Sequence, residues 1–182
     1  MIINKLNLLL AERFIKASKL SKDTGIAQST ISKIVNNSTS QIDYSTLDKI
    51  CRYLNITPSN FFEYDPISII FQRFSEDEEY EDDDINKNFM FYVRYDKGME
   101  LFRTIKYEVN VDVYANELYV RAYPEASNNK DVKFINHINN LSIGIQKTLS
   151  DEIELFTKNS LIDKLSLDKS YQFDINVDII NK

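Results

Sequence analysis

Gln28, Ser29, Thr30, Ser32 and Lys33 bring amide, hydroxyl and ammonium groups together within six residues, interleaved with Ile31 and Ile34. On one helix face these groups can address base edges. Glutamine can satisfy both hydrogen-bonding positions of an adenine, and lysine can donate to a guanine. Thr30 and Ser32 suit bases or backbone. Lys16, Lys19, Ser38 and Thr39, on either side, suit phosphate oxygens, which fix register without carrying sequence information. A face that is merely solvated is the plain alternative, but such a face is usually richer in Glu and Lys than in short hydroxyl and amide side chains. A second segment with marked chemistry is Glu76, Asp77, Glu78, Glu79, Tyr80, Glu81, Asp82, Asp83 and Asp84, eight acids in nine positions. It reads either as a solvated loop or as a patch that docks on a basic surface.

Catalytic chemistry is not suggested anywhere. His137 is the only histidine. There is no Ser/His/Asp or Cys/His set and no phosphate-cradling glycine loop, and the acidic run lacks the glycine and ligand rhythm of a calcium loop. The expectation is a protein that is not an enzyme and takes no metal or cofactor. Cys51, a lone cysteine, cannot form an internal disulfide and fits a reducing compartment. No apolar run approaches the ~20 residues of a membrane-spanning helix. A cytoplasmic protein is expected.

Helical spacing runs through the first third of the chain. Leu6, Leu9, Leu10 and Phe14 form an apolar stripe, and Leu20 faces inward in a second helix that Gly25 should end in the left-handed conformation. Ile26 can plug the core beneath that turn. A third helix starts at Ala27, turns Ile31, Ile34 and Val35 inward and stops at Asn36 and Asn37. A fourth spans Tyr44 to Leu54, with Asp43 or Ser45 as N-cap, and Thr57 and Pro58 open a short fifth. Residues 1 to 62 carry eight Lys/Arg against four Asp/Glu, a balance of +4, whereas residues 63 to 182 carry 14 against 24, a balance of −10. Opposite fields select different partners, so two modules are expected.

The stretch "LLAERFIKASKLSKDTGIAQSTISKIVNN", followed by "IDYSTLDKICRYLNITPSNFF", resembles the Cro/C1-type helix-turn-helix family over residues 4 to 64. Departures are Ala17, where the family often has Gln, Phe14 and Asn37 in place of Gly, and Ser21 in place of Ala. The resemblance implies that the third helix enters the major groove with Gln28, Ser29 and Lys33 at base edges, on double-stranded DNA. Because +4 neutralises few phosphates, tight binding implies a homodimer on an inverted-repeat operator.

Beyond Pro66 the period becomes two. "SIIFQRF", "NFMFYVRY", "MELFRTIKYEVNVDV", "ELYVRAY" and "YQFDINVDI" read as strands, with Arg103 an exception on the apolar side of the third. Residues 131 to 150 and 151 to 165 read as helices, Gly144 weakening the first. The fold expected is an all-α five-helix helix-turn-helix domain over residues 1–64 and an α+β domain over 65–182, mainly an antiparallel sheet with helices on one face. Function then divides. One reading is a repressor whose second domain dimerises or senses a ligand. Another rests on a similarity of architecture to the helix-turn-helix-bearing anti-CRISPR proteins of Gram-positive phages and mobile elements, which implies autoregulation and an acidic domain that binds a basic protein partner, a type II Cas9. An antitoxin is a third.

Overall fold

The computed structural model describes residues 1–76, 86–98, 100–114, 117–167 and 170–179. The chain divides into two compact units, Met1–Asp65 and Pro66–Lys182.

In the first unit five helices follow one another: α1 (Leu6–Glu12), α2 (Ala17–Thr24), α3 (Gln28–Val35), α4 (Tyr44–Leu54) and α5 (Pro58–Phe61). Their apolar stripes close on a single core of Leu6, Leu9, Leu10, Leu20, Ile26, Ile31, Ile34, Ile50, Cys51, Leu54 and Phe61. Gly25 ends α2 at φ 69°, and its N–H donates to the Ser21 carbonyl. A Cβ there would touch nothing, so it is the backbone angle rather than space that calls for glycine. Asp43, not Ser45, caps α4 by accepting from the Thr46 N–H at 2.8 Å. The unit is not all-α. Strands β1 (Ile2–Asn4) and β2 (Phe62–Tyr64) pair antiparallel, Ile2 opposite Tyr64 and Asn4 opposite Phe62. Each supplies only three residues, too few for alternation to register in the sequence.

The second unit is a five-stranded sheet in the order β3-β4-β5-β6-β7, formed by β3 (Ile67–Glu76), β4 (Asn86–Lys97), β5 (Glu100–Tyr114), β6 (Glu117–Glu125) and β7 (Gln172–Val177). Three neighbouring pairs are antiparallel, and β6 and β7 are parallel. Helices α6 (Asn129–Asn139) and α7 (Ile143–Leu165) form the crossover that parallel strands require. Both lie on the face that carries Phe91, Tyr95 and Tyr107. Phe134 of α6 packs on Tyr95 with ring centres 4.8 Å apart, and Phe156 of α7 on Phe91 at 5.1 Å and Phe71 at 4.3 Å. The expected break between the helices, at 150, belongs ten residues earlier. Ser142 caps α7 through the Ile145 N–H, one helix continues to Leu165, and Val132 of α6 is exposed although helical spacing would place it with the inward Ile135 and Ile138. Gly144 sits in the first turn, where it interrupts little.

Two buried polar contacts fasten this core. Arg103 donates to the carboxylate of Asp131, which is 5% exposed and also accepts from the Ser127 N–H at 3.1 Å and the Asn128 amide at 2.8 Å. The strand arginine that breaks the apolar alternation is thus the ligand of a buried acid on α6. The hydroxyls of Tyr95 and Tyr107 meet at 3.0 Å in the interior, where burial pushes the Tyr107 phenol up to about 12.

Candidate nucleic-acid interface

At 3.6 residues per turn, turning Ile31 and Ile34 into the core leaves Ser29, Ser32 and Lys33 on the far side of α3 and Gln28 at its first turn. All four are exposed, while Thr30 is half-buried at the border of the face. The three residues Gly25, Ile26 and Ala27 separate α2 from α3. Side-chain bonds brace that turn: the Ser21 hydroxyl donates to the Ile26 carbonyl at 2.6 Å, and the Thr24 hydroxyl to the Leu20 carbonyl at 2.6 Å. Ser21, in place of the family's alanine, therefore has a bracing role.

The expected phosphate contacts are less alike. Lys16 is exposed at the N-cap of α2, and beside it Ala17 offers no polar group. Lys19 is held by Asp23 at 2.8 Å, and the same carboxylate oxygen accepts from the Tyr53 hydroxyl at 2.8 Å. Hydrogen bonding to Lys19 and then Tyr53 holds the Asp23 carboxyl below its ordinary value, and the same contact raises Lys19. A phosphate would compete with Asp23 for that ammonium. Ser38 donates its hydroxyl to the Lys33 carbonyl at 3.2 Å, and the Thr39 hydroxyl closes a local turn with Gln41, donating to its carbonyl at 2.7 Å and accepting from its N–H at 3.2 Å. Both hydroxyls have an acceptor within the chain. Phe14, where the family has glycine, is held at φ 56° with 96% of its surface exposed, a left-handed position that disfavours a bulky residue.

A feature that the sequence did not bring forward is the contact of Asn37 with Asn4. Asn37, left-handed at φ 51° after α3, meets a buried asparagine of β1. Only Asn37 carried a sequence signal, as a glycine substitute. An asparagine after two isoleucines at the chain start carries none.

Of the acidic run, Glu76 is exposed at the end of β3, with Lys87 Nζ 3.7 Å away. Asp77, Glu78, Glu79, Tyr80, Glu81, Asp82, Asp83 and Asp84 lie outside the described residues. The sheet face opposite α6 and α7 is itself rich in acids. There Arg94 pairs with Asp96, Lys106 with Glu108 and Glu125, and Arg121 with Asp178. Asp112 and Asp174 have no cation partner among the described residues. His137 packs edge-on against Phe102, with ring centres 5.5 Å apart. No cluster of residues able to hold a metal occurs among the described residues, and no helix among them is long and apolar enough to cross a membrane.

A short glycine-closed turn that presents an exposed polar helix from a small helical core is the geometry of a helix-turn-helix domain, and the Cro/C1-type helix-turn-helix DNA-binding domain family matches residues 5–66. The uncharacterized helix-turn-helix-type transcriptional regulator YozG of Bacillus subtilis (strain 168) is 33% identical over 63 residues, 35% of this chain and 75% of YozG. The chain belongs to this helix-turn-helix family. A crystal structure of a Bacteroides fragilis protein provisionally described as DNA-binding is 27% identical, spanning 35% of this chain and 100% of that one, at a TM-score of 0.32.

Proposed function

We propose that the chain is a transcriptional repressor that reads an inverted-repeat operator as a homodimer and acts on its own operon, without catalysis. The observation that carries this reading is the exposed row Gln28, Ser29, Ser32 and Lys33, presented by α3 inside the matched family region. Those groups have the donor and acceptor chemistry of base edges, and the core residues Ile31 and Ile34 keep them turned outward. In an anisotropy titration on a duplex enriched by the protein from a random pool, Gln28→Ala with Lys33→Ala should weaken binding at least about tenfold, since each base contact contributes ~1 to 3 kcal/mol of discrimination. Unchanged binding would remove α3 as the reading element.

The second unit is the half that binds a protein partner. Its support is the −10 balance of residues 63 to 182 together with a sheet face on which the described bases are already paired with acids. Such a surface attracts a basic partner and repels DNA. A type II Cas9, which holds nucleic acid in positively charged channels, is the first partner to test. Full-length protein added to a DNA-cleavage reaction should slow cleavage in a salt-sensitive way, and cleavage at the control rate would retire that partner.

A further inference from the structure

A recognition helix reads sequence only while its side chains stay within hydrogen-bond reach of particular base atoms, so both of its ends must be held. The start of α3 is fixed by the Gly25 turn. Its far end is fixed by a pair of asparagines. The Asn37 N–H donates to the Ile34 carbonyl at 3.0 Å, and its side chain turns toward β1. There Asn37 Oδ1 accepts from the Asn4 N–H at 3.0 Å and from Asn4 Nδ2 at 2.6 Å, while Asn37 Nδ2 donates to the Asn4 carbonyl at 3.2 Å. Asn4 is 7% exposed. Its Nδ2 also donates to the Ile34 carbonyl in the last turn of α3 at 2.8 Å, and its Oδ1 accepts from the Leu6 N–H at the start of α1 at 3.0 Å. One buried amide thus joins β1, α1 and α3. Strand β1 is in turn paired to β2, and the Lys5 N–H donates to the Phe61 carbonyl at 2.8 Å.

We propose that Asn4 and Asn37 are positioning residues for sequence reading, setting the angle of α3 against the β1–β2 ribbon although their polar groups are committed to each other. The inference rests on the DNA-reading role argued above. Apolar contacts at Ile31 and Ile34 hold the helix against the core but tolerate small sliding and rotation, because dispersion is not directional. The hydrogen bonds of the asparagine pair are directional, and a buried amide left without its partner is costly. A loosened α3 loses base contacts, which need exact atoms, before it loses phosphate contacts, which need only charge nearby.

The test compares, at one salt concentration, affinity for the duplex that the full-length protein enriches from a random pool with affinity for a scrambled duplex. Asn37→Gly keeps a residue that accepts the left-handed angle and deletes the amide. It should lower the ratio of the two affinities about tenfold while scrambled-duplex binding stays within about twofold, the scale of one or two lost hydrogen bonds. Melting temperatures close to the parent's would separate this from unfolding. Asn37→Asp keeps the acceptor for both Asn4 donors but sets an oxygen against the Asn4 carbonyl where Nδ2 donated, so it should recover the ratio in part, above that of Asn37→Gly; its added charge weakens both duplexes alike. An Asn37→Gly protein with the parent's ratio, or one that loses both affinities together, overturns the proposal. Gln28→Ala separates the two levels: if it lowers the ratio while Asn37→Gly does not, the asparagine pair alone fails. If neither lowers it, or if the parent enriches no duplex, the DNA-reading role fails and takes the pair's role with it.

Discussion

The unit Met1–Asp65 closes short helices on an aliphatic core in which Phe61 is the only fully buried ring, whereas Pro66–Lys182 closes a sheet on buried rings, Phe89, Phe91, Tyr95, Tyr107 and Phe134 among them. Their buried polar groups differ in the same way. The first unit uses a neutral amide pair, Asn4 with Asn37, and the second an ion pair, Arg103 with Asp131, and a hydroxyl pair, Tyr95 with Tyr107. In the first, the polar contact lies at the end of the helix that carries the candidate reading residues. In the second, the contacts fasten α6 to β5 and β4 to β5, and the candidate binding surface is the opposite face. The lesson is about how closely core and function are joined. A helix has one outward stripe, fixed by its inward one, so core and surface are read together. A sheet of five strands has a whole second face that its core does not specify.

Three changes would sharpen or break that contrast, the first having the largest expected effect. Asp131→Ala removes the buried carboxylate that accepts from Arg103, the Ser127 N–H and the Asn128 amide, and should destabilise the second unit by about 2 to 3 kcal/mol, since several donors lose their acceptor at once. Chemical denaturation followed by fluorescence of a label in each unit reads this out. A shift in the first unit's transition of the same size would end the description of the units as separately stabilised. Next, Tyr95→Phe should cost about 1 to 2 kcal/mol by leaving the Tyr107 hydroxyl unmatched in the core, and Tyr95→Phe with Tyr107→Phe should cost less than the single change. A double variant worse than the single one would give the hydroxyl pair a different role.

The smallest effect is a pH dependence confined to the first unit. The Asp43 carboxylate accepts from the Ser45 hydroxyl, the Thr46 hydroxyl and the Thr46 N–H, and these bonds, that of Ser45 foremost, hold its carboxyl well below the usual range. A carboxyl lowered on folding favours the folded state above its ordinary value of 3.8, and the contribution fades as pH falls from there toward the folded value. The melting temperature of the first unit should therefore drop below about pH 4, and Asp43→Asn should flatten that drop by removing the titrating group. A profile identical in parent and variant would take this cap out of the acid response.

Legibility in the sequence followed these physical differences. Gly25 marks a turn because glycine takes the left-handed angle without the cost a Cβ brings, and Ile31 with Ile34 orients α3 because helical spacing leaves no choice of face. Asp43 was one of two caps in view, and the geometry chose the residue whose oxygen reaches the Thr46 N–H. The β1–β2 ribbon stayed hidden because its partners are about sixty positions apart and three residues long. In the second unit, alternation located the strands that supply the core. It misplaced the helix break because Ile138, Leu141 and Ile145 keep helical spacing across it, the signals against that being Asn140, the cap Ser142 and, just past the break, Gly144. Arg103 was visible as an anomaly, but its partner lies 28 positions on, beyond any local pattern. Polar outward positions such as Asp112 and Asp174 look the same in sequence whether they face solvent or a partner.

The parallel pairing of β6 with β7 also sets an order of events during synthesis. The first unit has every strand and helix it needs once residue 65 is clear of the ribosome, so it can fold early. The second cannot cover the outer edge of β6 until Gln172–Val177 has been made, after all of α6 and α7. Until then Glu117–Glu125 presents unpaired backbone groups, a template for another chain's strand. The nascent protein thus has its first unit complete while its sheet is still open, and β7, made only after both crossover helices, is the strand that closes that edge.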